Sequence, residues 1–134
     1  MPKPADSTPG PTSDPRQADC RLSIRIYLPS GLRIGRGKIA LLEAVADTGS
    51  ISGAARKLAM SYKRAWDLLE EMNLSLKAPV ITTAQGGSHG GGAVLTDLGH
   101  ALITHYRAFE RDAYMKGKSD LEAILDLARE SGTP

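Results

Sequence analysis

The feature that most constrains this chain is the stretch at residues 48–73, TGSISGAARKLAMSYKRAWDLLEEMN, whose apolar residues sit where two short helices joined by a tight turn need them. Ala55 falls in the first helix where the second would cross it, and close approach there requires a small side chain. Leu58 follows as the buried anchor of that helix. Ala59, Met60 and Ser61 make the turn, and Ser61 is placed to cap the next helix by satisfying a backbone donor that a helix start leaves unpaired. The second helix is therefore predicted to begin at Tyr62. On it Ala65, Leu68, Leu69 and Met72 recur at spacings of three and four and form one apolar stripe. Lys63, Arg64 and Asp67 point the other way, while Tyr62 and Trp66 flank the stripe four residues apart and can bury their rings with their polar ends at its rim.

Two helices so arranged make a helix-turn-helix. The pattern alone is met equally by a DNA reader and by an ordinary amphipathic helix pair with a solvated charged face. An exposed N-terminal half bearing Ser61, Tyr62, Lys63 and Arg64 suits a recognition helix, whose first turns reach base edges in the major groove. Residues 79–84 (PVITTA) then read as a strand and residues 93–95 as its partner, with QGGSHGGG between them. Five of those eight loop residues are glycine, which permits close backbone approach and supplies little side-chain surface for a core. Such a tip can lie against a sugar-phosphate backbone or minor groove, with Ser88 and His89 as polar handles; the plain alternative is a loose hairpin loop. It is not a phosphate-cradling P-loop, because no Gly-Lys-Ser/Thr follows and the glycines precede a strand instead of a helix.

A helix-turn-helix followed by a hairpin is a winged helix, and specific runs strengthen that reading. GSISGAA at residues 49–55, SYKRAWD at residues 61–67, the trio Glu71, Met72 and Asn73, and GGGAVLT at residues 90–96 with Gly99 resemble the N-terminal DNA-binding domain of the molybdate-responsive ModE regulators. More distantly they are similar to the DNA-binding domain of LysR-type regulators. The resemblance covers residues 22–109. It implies a dimeric winged-helix domain on double-stranded DNA at a palindromic operator, with residues 61–67 in the major groove and the wing beside them.

On that reading Lys63 and Arg64 carry the main recognition role, Ser61 and Tyr62 make helix-start contacts, and Arg56 and Lys57 add phosphate contacts from the first helix. Ser52, Asp67, Ser88 and His89 complete the expected DNA-facing set, and Trp66 orients the reading helix. In that family the oxyanion is held by a separate C-terminal pair of small β-barrel domains, for which 134 residues leave no room. No cofactor is therefore expected in this chain, and molybdate is expected to act only as an effector through a separate domain or a partner molybdate-binding protein.

The length and an aromatic content of 4% support one domain with a modest core. The single Cys20 cannot form an internal disulfide, and neither a secretory signal nor a long apolar run is present, so the expectation is a cytoplasmic protein without a membrane partner. The net charge of +2 hides an asymmetry. Residues 1–19 hold two basic and three acidic side chains, residues 20–96 ten and five, and residues 97–134 five and seven. Positive charge thus gathers in the segment that contains the proposed reader, as phosphate neutralisation requires.

The first 19 residues contain five prolines and no apolar periodicity, and read as a disordered tail. Residues 20–96 form the winged-helix domain. Leu22, Ile24, Ile26 and Leu28 alternate as a strand that could join the wing hairpin as a third member, and Pro29, Ser30 and Gly31 end it. Residues 37–48 follow as a helix with Ile39, Leu42, Val45 and Ala46 inward and Gly49 as its stop. Arg33, Arg36 and Lys38 lie at its start, where the helix dipole disfavours positive charge; they are either solvated or face phosphates.

In residues 97–134 Thr96 can cap a helix with Leu98, Ala101, Leu102, His105, Tyr106, Phe109 and Ala113 on one side. Gly117 breaks the pattern, and Ser119 with Glu122 has capping-box spacing for a last helix carrying Leu121, Ile124, Leu125 and Ala128. These helices are the dimerisation candidate, with Leu98, Leu102, His105, Tyr106 and Phe109 as its core; the alternative is that they pack back on their own domain. Two-fold symmetry would set two reading helices roughly 34 Å apart. The fold class expected is α+β, mostly helical: a winged helix-turn-helix with a small antiparallel sheet and C-terminal dimerisation helices.

Catalysis finds little support, since there is no metal-ligand cluster, nucleophile elbow or pair of carboxylates in an apolar pocket. His100 and His105 are five apart and do not share a helix face, and Asp67, Glu70 and Glu71 lie on an open helix surface. The competing functions are a winged helix that docks proteins, which would need apolar or aromatic anchors on the second helix, and an accessory protein of molybdenum metabolism that keeps the domain for dimerisation.

Overall fold

The structure, a computed structural model, describes residues 21–84 and 92–128. Its elements run β1 (Ile26–Tyr27), β2 (Arg33–Ile34), α1 (Arg36–Thr48), α2 (Ile51–Lys57), α3 (Tyr62–Ser75), β3 (Ile81–Ala84), β4 (Gly92–Leu95), α4 (Asp97–Lys116) and α5 (Lys118–Leu127). Two compact units result, one spanning Ser23–Phe109 and another to which residues 110–128 belong. The proline-rich tail, Cys20 and the glycine-rich tip with Ser88 and His89 lie outside the described residues.

In the larger unit α1 is the central element, packing on α2, α3, β2 and β4. With neighbours on so many sides it buries a broader face than the simple stripe predicts: Leu41 and Ala44 are inside with Ile39, Leu42 and Val45, whereas Ala46 is exposed. Gly49 ends the helix as expected, in the left-handed region at φ 75°, and its N–H donates to the Val45 carbonyl. The Gly49 carbonyl in turn accepts from Ala93 N–H at 2.9 Å, which fixes β4 against the α1–α2 junction.

The wing is an antiparallel pair, β3 with β4, in the register Ile81 to Leu95, Thr82 to Val94, Thr83 to Ala93 and Ala84 to Gly92. Ile81, Ala93 and Leu95 face the core and Val94 faces out, the alternation of a sheet with one buried side. The expected third strand does not join it. Only Ile26 and Tyr27 are strand, and they pair with Arg33 and Ile34 in a separate two-stranded sheet. The reason is local. Gly31 at φ 98° and the bonds Leu28 N–H to Leu32 carbonyl and Gly31 N–H to Leu28 carbonyl turn the chain back at once, so the nearest partner is a few residues away and the closure entropy is small.

The start of α4 is tied to the wing by a compact set of bonds. Thr96 N–H donates to the Val80 carbonyl at 2.9 Å, Thr96 Oγ1 donates to the Pro79 carbonyl at 2.6 Å, and Gly99 N–H donates to Thr96 Oγ1 at 3.0 Å, the cap that the sequence predicts. Of the α4 stripe, Tyr106 is buried and its hydroxyl donates to the Ile24 carbonyl at 2.6 Å, pinning the segment before β1. Leu98, Leu102 and Ile103 pack partly against the same core, while Ala101, His105 and Phe109 are exposed; the domain is too small to cover the whole stripe.

Residues 110–128 hold the last turns of α4 and all of α5. The capping box at Ser119 and Glu122 does not form. Gly117 N–H bonds to the Ala113 carbonyl and Leu121 N–H to the Gly117 carbonyl, so the helical bonding resumes at once and Ser119 is already inside α5, with Gly117 as its N-cap.

Candidate nucleic-acid interface

The geometry that presents α3 begins one helix earlier. Ser50 caps α2, its Oγ accepting from Gly53 N–H at 2.9 Å, and Thr48 Oγ1 donates to the Ala44 carbonyl at 2.8 Å. Ala54 and Ala55 of α2 and Ala65 of α3 are all buried, so the two helices approach through methyl groups, as the small residue at 55 predicts. Leu58 is not the buried anchor expected: it is the C-cap of α2 and only partly buried, and the inward residue at the other end is Ile51. In the turn Ala59 takes φ 57°, a left-handed conformation that a side chain resists, and Met60 N–H returns to the Ala55 carbonyl at 3.0 Å.

Ser61 caps α3 as predicted, its Oγ accepting from Arg64 N–H at 3.0 Å. Ala65, Leu69 and Met72 are buried and Leu68 partly so, which turns Tyr62, Lys63, Arg64, Trp66 and Asp67 outward. The expectation that the two rings bury is not met: Tyr62 is 54% and Trp66 44% exposed. Trp66 lines a groove of about 300 Å³ between α3 and β3, with Asn73, Pro79, Thr82 and Thr83. The far end of α3 is fastened to the wing by Val80 N–H donating to Asn73 Oδ1 at 2.8 Å. Helix and wing are therefore set by the same hydrogen bond.

The cations of this face differ in their commitments. Lys63 Nζ pairs with Asp67 at 3.1 Å along α3, and Lys57 Nζ with Asp47 at 2.7 Å, both exposed and easily exchanged for another anion. Arg56 and Arg64 are exposed and make no ion pair among the described residues, and Ser52 is exposed on the first turn of α2. Lys38 is committed inward, donating to the Arg33 carbonyl at 2.7 Å and lying 3.5 Å from Glu71. One contributor lies outside the set expected from the sequence: Arg25 lines the same cleft as Arg33, Arg36, Lys38 and Arg64. The signal for it is the alternation of Leu22, Ile24 and Ile26 inward, which places Arg25 on the outer side. Among the described residues no group of three or more His, Cys, Asp or Glu side chains could hold a metal ion, and no helix is long and apolar enough to cross a membrane.

Residues 37–100 match the family model described as the bacterial regulatory helix-turn-helix protein of the lysR family. Over these residues the chain is similar to the lysR-type helix-turn-helix domain. Its fold is also that of the solved CbnR DNA-binding domain in a complex with DNA, at TM-score 0.50 and 24% identity over 66% of this chain and 95% of that one. The chain is also similar to the molybdenum-pterin-binding protein MopB of Rhodobacter capsulatus, 54% identical over 73% of this chain and 36% of that protein. It is also similar to ModE of Azotobacter vinelandii, 41% identical over 60% of this chain and 30% of the relative, and to the dual regulator ModE of Escherichia coli K12, 46% identical over 52% and 26%. The ModE resemblance read from the motifs is borne out. The chain spans between about a quarter and about a third of the length of these relatives.

Proposed function

We propose that this chain is a sequence-specific DNA-binding transcriptional regulator of the ModE type, acting as a repressor on double-stranded DNA in the cytoplasm and catalysing no reaction. The observation that carries the reading is the presentation of α3. A cap at Ser61, an apolar stripe clamped into the core and a tie to the wing through Asn73 leave Tyr62, Lys63, Arg64 and Asp67 on a rigid outward face. Lys63 and Arg64 supply donors for base edges, Ser61 and Tyr62 contacts at the helix start, and Arg56, Lys57 and Ser52 contacts to phosphates from α2. Ser88 and His89 are assigned contacts to the adjacent DNA backbone in the same reading.

A homodimer on a palindrome completes the proposal. Tyr106, Leu98 and Leu102 are held by their own core, so Phe109 and His105, with the exposed Met115, Ile124 and Leu127 further along the chain, are the side chains left for a second copy. Molybdate acts, in this reading, only as an effector through a separate domain or a partner molybdate-binding protein. One observation favours a second reading, a protein-docking face: Trp66 and Tyr62 are exposed aromatics on α3, and Trp66 lines a groove.

The test is selection from a pool of random duplexes at two salt concentrations, with and without molybdate. Enrichment of a palindrome with salt-sensitive affinity is expected. Failure to bind any duplex at low salt overturns the DNA reading and promotes the docking one.

A further inference from the structure

A cleft of about 380 Å³ opens between the segment before β1, β2, the start of α1 and one side of α3. Its lining includes Arg25, Arg33, Lys38 and Arg64 and no acidic side chain. Arg25 and Arg33 are exposed and, among the described residues, make no ion pair. The backbone beneath them is also electropositive. Gly35 is the N-cap of α1 and offers no side-chain cap, the first turn holds no acidic residue, and the side of Gly37 where a Cβ would stand is open to 4 Å. Arg25 lies over Gly35, where a Cβ would sit 3.9 Å from its Nε. A thirteen-residue helix thus starts, with the positive end of its dipole, in the cleft that Arg25, Arg33 and Arg64 line. Lys38 is balanced there by Glu71, so the positive charge open to a ligand is that of Arg25, Arg33 and Arg64, whose guanidinium forks are suited to the tetrahedral oxygens of a phosphate.

We propose that this cleft takes a phosphodiester of the DNA strand flanking the groove that α3 reads, a clamp on the opposite side of α3 from the wing. The inference rests on the DNA reading above and adds the surface that fixes the register of the domain on the duplex. Arg64 borders both the cleft and the outward face of α3, so phosphate and base contacts are continuous through it. The clamp contributes affinity and salt dependence and leaves sequence preference alone.

The experiment compares wild type with the double variant Arg25→Gln/Arg33→Gln on a selected duplex and on scrambled duplexes across about 50–200 mM salt. Loss of two phosphate contacts lowers the slope of log affinity against log salt by about 2, so the fall over that fourfold range becomes about tenfold smaller, equally on every sequence. A second variant, Gly37→Glu, separates folding from binding. A carboxylate in the first turn of α1 raises the thermal midpoint, because it complements the helix dipole and replaces a glycine, yet it weakens DNA binding by placing negative charge in the cleft.

An unchanged salt slope in the double variant, or wild-type affinity in Gly37→Glu, overturns the clamp while leaving the α3 reading intact. Loss of all DNA binding by the wild type removes both. The cleft is instead a free-anion site if inorganic phosphate at constant ionic strength shifts the Gly37 and Lys38 amides of the wild type while the double variant keeps the wild-type DNA slope.

Discussion

Replacing Gly99 by alanine is expected to destabilise the domain severely, although Gly99 is the third residue of a long helix and alanine is the better helix former. A Cβ at Gly99 would run into the Val80 carbonyl oxygen, a backbone atom that cannot rotate away and that already accepts from Thr96 N–H. The gain in helix propensity is at most about 1 kcal/mol. Against it stand about 1–3 kcal/mol for overpacking a closed site and about 1–3 kcal/mol for disturbing the buried bond between Thr96 and Val80. At the middle of these ranges the net loss is about 3 kcal/mol, and for a domain of this size each kcal/mol moves the thermal midpoint by about 4–8 °C, so a fall of about 12–24 °C follows.

The same substitution at Gly37 controls for propensity. That glycine also lies in the first turn of a helix, but nothing stands within 4 Å of the position its Cβ would take, and Gly37→Ala should gain about 0.4–1 kcal/mol. Thermal unfolding of the two variants side by side is the assay. A Gly99→Ala protein that melts at or above the wild type, or two variants that shift alike, would refute the claim that the wing and α4 meet in backbone contact at this point.

Three further outcomes are expected. Ala59→Gly should leave the midpoint unchanged or raise it, since it relieves a left-handed alanine worth about 1 kcal/mol of strain, whereas Ala54→Gly, in a buried helical position, should lower it; calorimetry on both decides. Asn73→Ala leaves the buried Val80 N–H without its acceptor and should cost about 1–3 kcal/mol by urea unfolding, with a larger loss of DNA affinity than the exposed Lys77→Ala shows. Arg64→Ala should cost about 1–3 kcal/mol of binding and relax preference at one position of the selected site, while a uniform loss across sequences would make its contact one to phosphate.

The parts of this fold legible in the sequence are those decided within one or two turns. Ser61, Thr96 and Gly49 each announce a helix end by side-chain chemistry or backbone freedom, and all three act where the pattern puts them. The stripe of α3 is readable because one helix face meets one core. Pattern misleads where the outcome depends on how many neighbours arrive. Leu41 and Ala44 are buried because α1 is surrounded, and Ala101 and His105 of α4 are exposed because the core runs out. The β1–β2 hairpin escapes notice for a related reason: alternation fixes the face of a strand but not its partner. For the site, charge and spacing locate Lys63 and Arg64, but only geometry separates the committed Lys38 from the available Arg25 and Arg33.

The most direct test of α3 as the reading helix is to titrate a selected duplex into isotope-labelled protein and map the perturbed backbone amides. The largest shifts are expected in residues 61–67, with a second set at the start of α2 and little change along residues 110–128. Shifts concentrated in residues 110–128, with residues 61–67 unmoved, would contradict the assignment.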